Sequence, residues 1–258
     1  MALVRTVTDA GVTTMTLDSP ANRNALSTPL MRELLDALAA AVTDTSVRAI
    51  VLTHTGKVFC SGADLKETAE ARENGRVPAE MIADVLAALW EFPKPVVARV
   101  GGPARAGGLG LIAAADIAVC AREATFAFSE VRLGVIPAVI SATVLPRLSP
   151  RAAAELYLTG DVFDGVRAAE IGLVSAAVAA EDLDDAVRRY CASLVLGGPL
   201  ALAGAKQLLR RTPIRAELAE LASRSAGYFK SAEGREGVSA LREKRPASWV
   251  PAAPAADG

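Results

Sequence analysis

The sequence predicts an α/β core followed by a helical carboxy-terminal region. Three observations carry this: short apolar strand segments alternate with helical ones over the first two thirds, the last third is helical almost throughout, and the excess in a hydrophobic share of 52% is largely alanine, which favours close helix packing. At 258 residues the chain corresponds to between one and two domains. The expected division is an α/β core over 1–195 and a helical region with a tail over 196–258.

Val4 to Val7 and Val12 to Leu17 read as strands joined through Asp9-Ala10-Gly11, a short connection in which glycine is free to turn left-handed. Pro20 to Asn24 is a loop of turn formers. Ser27 caps a helix over about 28–42, with Leu30, Leu34, Leu35 and Leu38 as its apolar stripe. Val47 to Thr53 is an apolar strand, Cys60 to Asp64 a glycine-containing turn, and helical segments follow to about residue 91. Lys94-Pro95 opens the strand Val96 to Val100, and a glycine-rich turn leads into a helix from about Gly107 to Ala115. Ile117 to Cys120 and Thr125 to Phe128 are further short strands. Helices over about 139–146 and 150–158 precede a helical turn within Val162 to Ile171 and the strand Leu173 to Val178. Helices over about 182–196, 199–210, 214–230 and 235–243 complete the chain before the Ala/Pro-rich tail Pro251 to Gly258.

Charge narrows the classes of partner. Twenty-eight Lys and Arg against 29 Asp and Glu leave a net charge of -1, without the basic surplus that neutralising nucleic-acid phosphates requires. A small anionic ligand needs only a local basic pocket. Cys60, Cys120 and Cys191 are odd in number, widely spaced and without a CxxC pair, so buried free thiols in a reducing compartment are expected, not a disulfide or metal framework. The amino terminus lacks the layout of a signal peptide. The longest apolar runs, such as Leu111 to Val119 with Asp116 inside it, fall short of the ~20 residues a bilayer needs. The expectation is a soluble cytoplasmic protein with neither nucleic acid nor membrane as partner.

Several chemistries lack their motifs. Gly56-Lys57 is followed by Val58 and does not form a phosphate loop, Gly107-Gly108-Leu109-Gly110 is not a dinucleotide fingerprint, and neither HExxH nor GxSxG occurs. His54, the single histidine, reads as an ordinary hydrogen-bonded or exposed residue. Phe59 to Leu65 and Gly102 to Gly110 are more informative. Each leaves a strand, turns at glycine and enters a helix, placing unpartnered N–H groups at a helix start. Two such ends meeting at one point would form an oxyanion hole; glycines that merely allow helix and sheet to approach closely are the plainer alternative. Continued strand alternation would put Glu130 on the same side as Phe126 and Phe128, with apolar neighbours from Val131 to Ile136. Desolvation there would raise its pKa and suit it to proton transfer near neutrality. A Glu paired with Arg132, or a rim residue, reads equally well.

Taken together and in order, these segments resemble the crotonase superfamily, the enoyl-CoA hydratase/isomerase family, over nearly the whole chain. Asn24-Ala25-Leu26-Ser27 is similar to its amino-terminal loop signature and Phe59 to Leu65 to its first oxyanion segment. Lys94 to Ala98, Gly107-Gly108 and Ala115-Asp116 resemble the second, and Phe229, Glu236-Gly237 and Glu243-Lys244-Arg245 the carboxy-terminal pattern. The resemblance implies a crotonase-like fold, a spiral of ββα units with a helical carboxy-terminal region. It implies that the N–H groups of Ala63 and Gly107 bind the thioester carbonyl oxygen of an acyl-CoA and that Glu130 is the catalytic carboxylate. Coenzyme A contacts are expected at Arg23, Ala25, Lys66, Phe229 and Lys244, the basic residues near the phosphates and the carboxy-terminal ones enclosing CoA or reaching a neighbouring subunit. No cofactor is implied beyond the coenzyme A of the substrate, and no metal.

One departure from the family pattern bears on the reaction. Where a two-glutamate hydratase has its water-activating carboxylate, this chain has Gly110. The resemblance still favours an enoyl-CoA hydratase adding water across the 2,3 double bond through a stabilised enolate. A one-base Δ3,Δ2-enoyl-CoA isomerase, an acyl-CoA decarboxylase, and a non-catalytic acyl-CoA-binding protein are the alternatives. Ala138 disfavours a dehalogenase with Asp at that site. Arg105 stands at a commonly apolar position, facing either a polar acyl substituent or a structural salt bridge. A homotrimer or dimer of trimers is the family precedent.

Overall fold

A computed structural model describes residues 2–64, 67, 79–210 and 214–250. Strands β1 (Val4–Asp9) and β2 (Val12–Leu17) form the predicted hairpin, with Asp9 opposite Val12 and Val4 opposite Leu17. Ala10 and Gly11 turn it with φ of 45° and 81°, the two left-handed residues that a tight hairpin of matching twist requires. From β2 outward every pairing in this sheet is parallel: β3 (Ala49–His54), β4 (Val96–Val100), β6 (Ile117–Ala121) and β9 (Ala176–Val178) follow in that order. Parallel neighbours need crossover connections, and α1 (Thr28–Thr43), α2 (Ala79–Trp90) and α3 (Gly107–Ala114) lie in them. Residues 49–53 of β3 are all buried, as expected of a strand covered on both faces.

A second, smaller sheet gives the spiral its other wall. It contains β5 (Ala104–Arg105), β7 (Thr125–Ala127) and β8 (Phe163–Asp164). Single bridges between Leu26 and Ala63, and between Cys60 and Ala104, extend the same layer. Each turn of chain therefore places one strand in the large sheet and one short extended piece in the small one before its helix begins. The piece after β2 is Leu26, after β3 it is Cys60 to Ala63, after β4 it is β5, and after β6 it is β7.

The remaining helices are α4 (Ala138–Val144), α5 (Pro150–Thr159), α6 (Gly165–Glu170), α7 (Leu183–Val195), α8 (Pro199–Leu209), α9 (Arg215–Lys230) and α10 (Ala232–Glu243). α9 folds back onto α2 and α4, and α10 packs against residues 129–133. No described helix is long and apolar enough to cross a membrane.

The structure departs from the sequence reading at three places. The strand ahead of Glu130 ends at Ala127, and Ser129–Leu133 is a 3-10 helix closed by Gly134 at φ 64°; Glu130 is thus buried by a helical turn, not by strand alternation. Strand β9 begins only at Ala176, because Leu173 and Val174 spend their N–H groups on Ala168 O at the end of α6. The helical region expected after Asp64 is seen as α2 from Ala79; Lys66 and the tail 251–258 lie outside the described residues. Cys60, Cys120 and Cys191 are free and buried as expected, and burial pushes the Cys60 thiol up to about 12.

Candidate active site

Two turns of the spiral meet at the site. The loop before α1 grips the segment after β3: Asn24, fully buried, donates its amide to Thr55 O and Val58 O at 3.0 and 2.8 Å and accepts from Ser19 N at 2.7 Å. Ser61 N donates to Arg23 O at 3.1 Å and Leu26 N to Gly62 O at 2.8 Å. This is a physical reason for the asparagine in that loop: its three hydrogen bonds fix the turn that presents Ala63.

The segment before α3 is bound to the same turn. Phe59 N donates to Pro103 O at 2.9 Å and Arg105 N to Cys60 O at 3.0 Å. Gly108 has no room for a side chain, since a Cβ there would lie 2.8 Å from Cys60 O. Gly62 (φ 91°) is equally confined, its Cβ position 2.9 Å from the Cβ of Ala106. A Cβ on Gly107 would stand 3.9 Å from Ala63 N, so the two residues lie side by side. Neither the Ala63 nor the Gly107 N–H finds an acceptor among the described residues. Ala106 enters α3 at φ 46° and ψ -117°, a conformation that favours glycine and places strain at the turn.

Glu130 completes the site. It lines, with Ala63, Ala106 and Gly107, an open cavity of about 530 Å³ with the solvent at its mouth included. Ile82 of α2, Ile136 to Ile140, and Ser225 and Phe229 of α9 supply the rest of the wall that bears on the chemistry. Burial drives the Glu130 carboxyl up to about 7, its own backbone opposing the shift, and Oε2 has no hydrogen-bond partner among the described residues. Arg132 does not pair with it but with Asp161, at 2.7 Å. The site therefore brings two peptide N–H groups without an acceptor among the described residues to one cavity with a carboxylate whose proton is held to about 7. Such donors act on an oxygen that gains negative charge as a neighbouring carbon loses or receives a proton.

Of the sequence-predicted residues, Ala63, Gly107, Glu130 and Phe229 come together at the cavity. Arg23 is exposed in the loop beside Ser61, Ala25 is buried behind it, and Lys244 is exposed, ending α10 at φ 55°. None of these three is among the lining residues. Arg105 is not among the lining residues and makes no ion pair among the described residues: its guanidinium donates to Ala104 O and to Thr125 O and Oγ1, tying β5 to β7. His54 is structural, its Nε2 accepting from Gly101 N at 3.1 Å. Gly110 packs in the interior, where a Cβ would meet Ile140 and Leu86 at 2.8 and 3.2 Å. Ser225 was not singled out from the sequence, although it lies four residues before Phe229 and thus on the same helix face. Among the described residues no cluster suited to a metal ion occurs.

Comparison with known proteins identifies this arrangement. The sequence model of the Enoyl-CoA hydratase/isomerase family matches residues 7–251. The crystal structure of an enoyl-CoA hydratase from Mycobacterium avium is similar at 42% identity and a TM-score of 0.86, covering 97% of this chain and 100% of that one. The 2,3-dehydroadipyl-CoA hydratase of Escherichia coli is 32% identical over 239 residues, 90% of this chain and 92% of its own. A methylmalonyl-CoA decarboxylase solved with 2-nitronate-propionyl-CoA has 26% identity and a TM-score of 0.84, covering 96% of this chain and 98% of that one. The chain belongs to the enoyl-CoA hydratase/isomerase family of the crotonase superfamily, an α/β enzyme whose chemistry is of the hydratase/isomerase type on acyl-CoA thioesters.

Proposed function

We propose that the protein is an enoyl-CoA hydratase that adds water across the 2,3 double bond of an enoyl-CoA thioester, with Glu130 as its acid/base. The observation that supports this reading is that Ala63 and Gly107, whose N–H groups have no acceptor among the described residues, line one cavity with the buried Glu130, whose Oε2 is without a partner. The thioester oxygen lies between the two N–H groups and takes up charge as water attacks the β-carbon; Glu130 accepts the proton of that water and delivers one to the α-carbon. The names of the hydratase relatives support hydration in particular.

A specific observation favours a second reading. Gly110 stands against Ile140 and Leu86, and among the described lining residues Glu130 is the one carboxylate. Δ3,Δ2-isomerisation needs no more, since one base can remove a proton at one carbon and return it at another; decarboxylation uses the same enolate. Incubating trans-2-enoyl-CoA and 3-enoyl-CoA in ¹⁸O-water separates these. Label at the β-carbon of a 3-hydroxyacyl product supports hydration, and conversion of the 3-enoyl substrate without oxygen uptake supports isomerisation. Glu130→Gln lowers turnover by at least about 100-fold under either reading, while thioester affinity stays within a few fold. An unaffected variant contradicts both.

Coenzyme A binding through Arg23, Ala25, Lys66, Phe229 and Lys244, and assembly as a homotrimer or dimer of trimers, belong to the same proposal. Supporting assembly, the α7–α8 junction and α8 expose Leu196, Leu200, Leu208 and Leu209, each at least 75% accessible in the single chain.

A further inference from the structure

One polar side chain interrupts the face that α9 turns inward. Leu218, Ala222 and Ser225 are buried, and half-buried Phe229 continues them at the spacing of a single helical stripe. Ser225 is 6% accessible and Phe229 is more open, so Ser225 lies one turn deeper along the stripe. α9 packs against α2 and α4, and Ser225 lines the cavity together with Ile82 of α2 and Ala138, Val139 and Ile140 of α4.

A serine inside a helix can turn its hydroxyl back onto the carbonyl four residues earlier. Ser141 does so to Pro137 O at 2.7 Å and Ser193 to Arg189 O at 3.2 Å. Ser225 makes no such bond, and its hydroxyl has no partner among the described residues. Nor is it shut off from solvent, as the unpartnered Thr53 hydroxyl is; its open side is the cavity that it lines. With the thioester oxygen at Ala63 and Gly107, the acyl chain fills the rest of this cavity. A plain alkyl chain there would cover the hydroxyl without giving it a hydrogen bond, which costs free energy, whereas a chain bearing an oxygen would satisfy it. Such a wall discriminates against the ligand that lacks the oxygen.

We infer that Ser225 is a specificity-determining residue, and that the acyl group this cavity takes carries a neutral hydrogen-bonding oxygen, a hydroxyl or a ketone, beyond the reacting carbons. This rests on the proposed reading in which an acyl-CoA holds its thioester oxygen at Ala63 and Gly107. The oxygen is neutral because Glu130 is the one ionisable group among the described lining residues, and a second carboxylate in the same cavity would be disfavoured by like charge.

The test is calorimetric titration of wild type and Ser225→Ala with saturated acyl-CoAs of about six to eight carbons. Plain chains are compared with chains carrying a hydroxyl at successive carbons from the fourth outward. Alanine is the better helix former, so the variant keeps α9. Wild type should bind one hydroxylated thioester about 10-fold more tightly than the plain one of equal length, the effect of one hydrogen bond gained over one left unmade. Ser225→Ala should lose that preference while binding the plain chain at least as tightly as wild type does. A wild type that binds plain chains as tightly as every hydroxylated one, or a preference that survives in Ser225→Ala, overturns the inference and leaves the acyl-CoA reading intact. Tighter binding of a chain ending in a carboxylate overturns the assignment of a neutral oxygen. A wild type that binds neither kind of thioester overturns the acyl-CoA reading and this inference with it.

Discussion

Glu130 is buried with no ion pair among the described residues, which raises its proton affinity at the expense of stability. Its proton is held to about 7 in the folded chain against 4.5 for an ordinary glutamate. Between those values the unfolded chain has released a proton that the folded chain keeps. Stability is therefore fully present below about 4.5 and falls as pH rises to about 7, by about 3 kcal/mol in all. Glu130→Gln removes that loss: urea unfolding should show the variant more stable than wild type at pH 8, with the difference vanishing near pH 4.5. A pH-independent difference would contradict the assignment. Catalysis follows the opposite sense, and kcat/KM should rise through about pH 7 as the carboxylate ionises. At this scale the family resemblance pointed to Glu130, Ala63 and Gly107, and the structure brings these three residues to one cavity. The sequence did not show that Arg132 turns to Asp161 or that Arg105 ties two short strands together, since both depend on partners 29 and 20 residues away that only the folded chain brings near.

Among the elements, the 3-10 turn that carries Glu130 is held from outside by α10. Gly237 lets the two approach closely, as a Cβ there would lie 2.3 Å from Leu133 O. On the far side Glu236 accepts from Arg245 at 2.7 and 3.0 Å and from Ser248 N at 2.7 Å, and Arg245 also reaches Glu243 at 2.6 Å. The carboxy-terminal pattern seen in the sequence is thus a clamp on the turn that bears Glu130, with Gly237 as its contact point. Gly237→Ala forces α10 off that backbone, and such overpacking costs about 1–3 kcal/mol. We predict a lower unfolding midpoint together with a kcat loss greater than any change in KM; kcat at the wild-type value would contradict the coupling. Helices and strands were legible here to within a few residues because apolar periodicity and caps such as Ser27 mark them. The 3-10 turn was not, because Thr125-Phe126-Ala127-Phe128 reads as one strand, whereas the strand stops at Ala127 and the turn after it is closed by Gly134 and packed against by α10.

Across the whole molecule, the spiral explains how segments about 40 residues apart build one site: successive turns stack in the small layer as Leu26, Cys60 to Ala63 and Ala104, and Gly107 opens the helix just after the last of these. The same chain leaves Leu200, Leu208 and Leu209 uncovered on α8, an apolar surface of the kind that marks contact with another protein. Light scattering on the purified protein should give three or six chains, and Leu200→Glu with Leu208→Glu should reduce that number. A monomer in the wild type would contradict the proposed assembly.

The central claim concerns the thioester oxygen, and a crystal structure with a bound saturated acyl-CoA tests it most directly. The account predicts that oxygen at about 2.7–3.1 Å from both Ala63 N and Gly107 N, with the α-carbon beside the Glu130 carboxylate. A thioester whose carbonyl oxygen points away from either N–H, or whose α-carbon lies out of reach of Glu130, would contradict it.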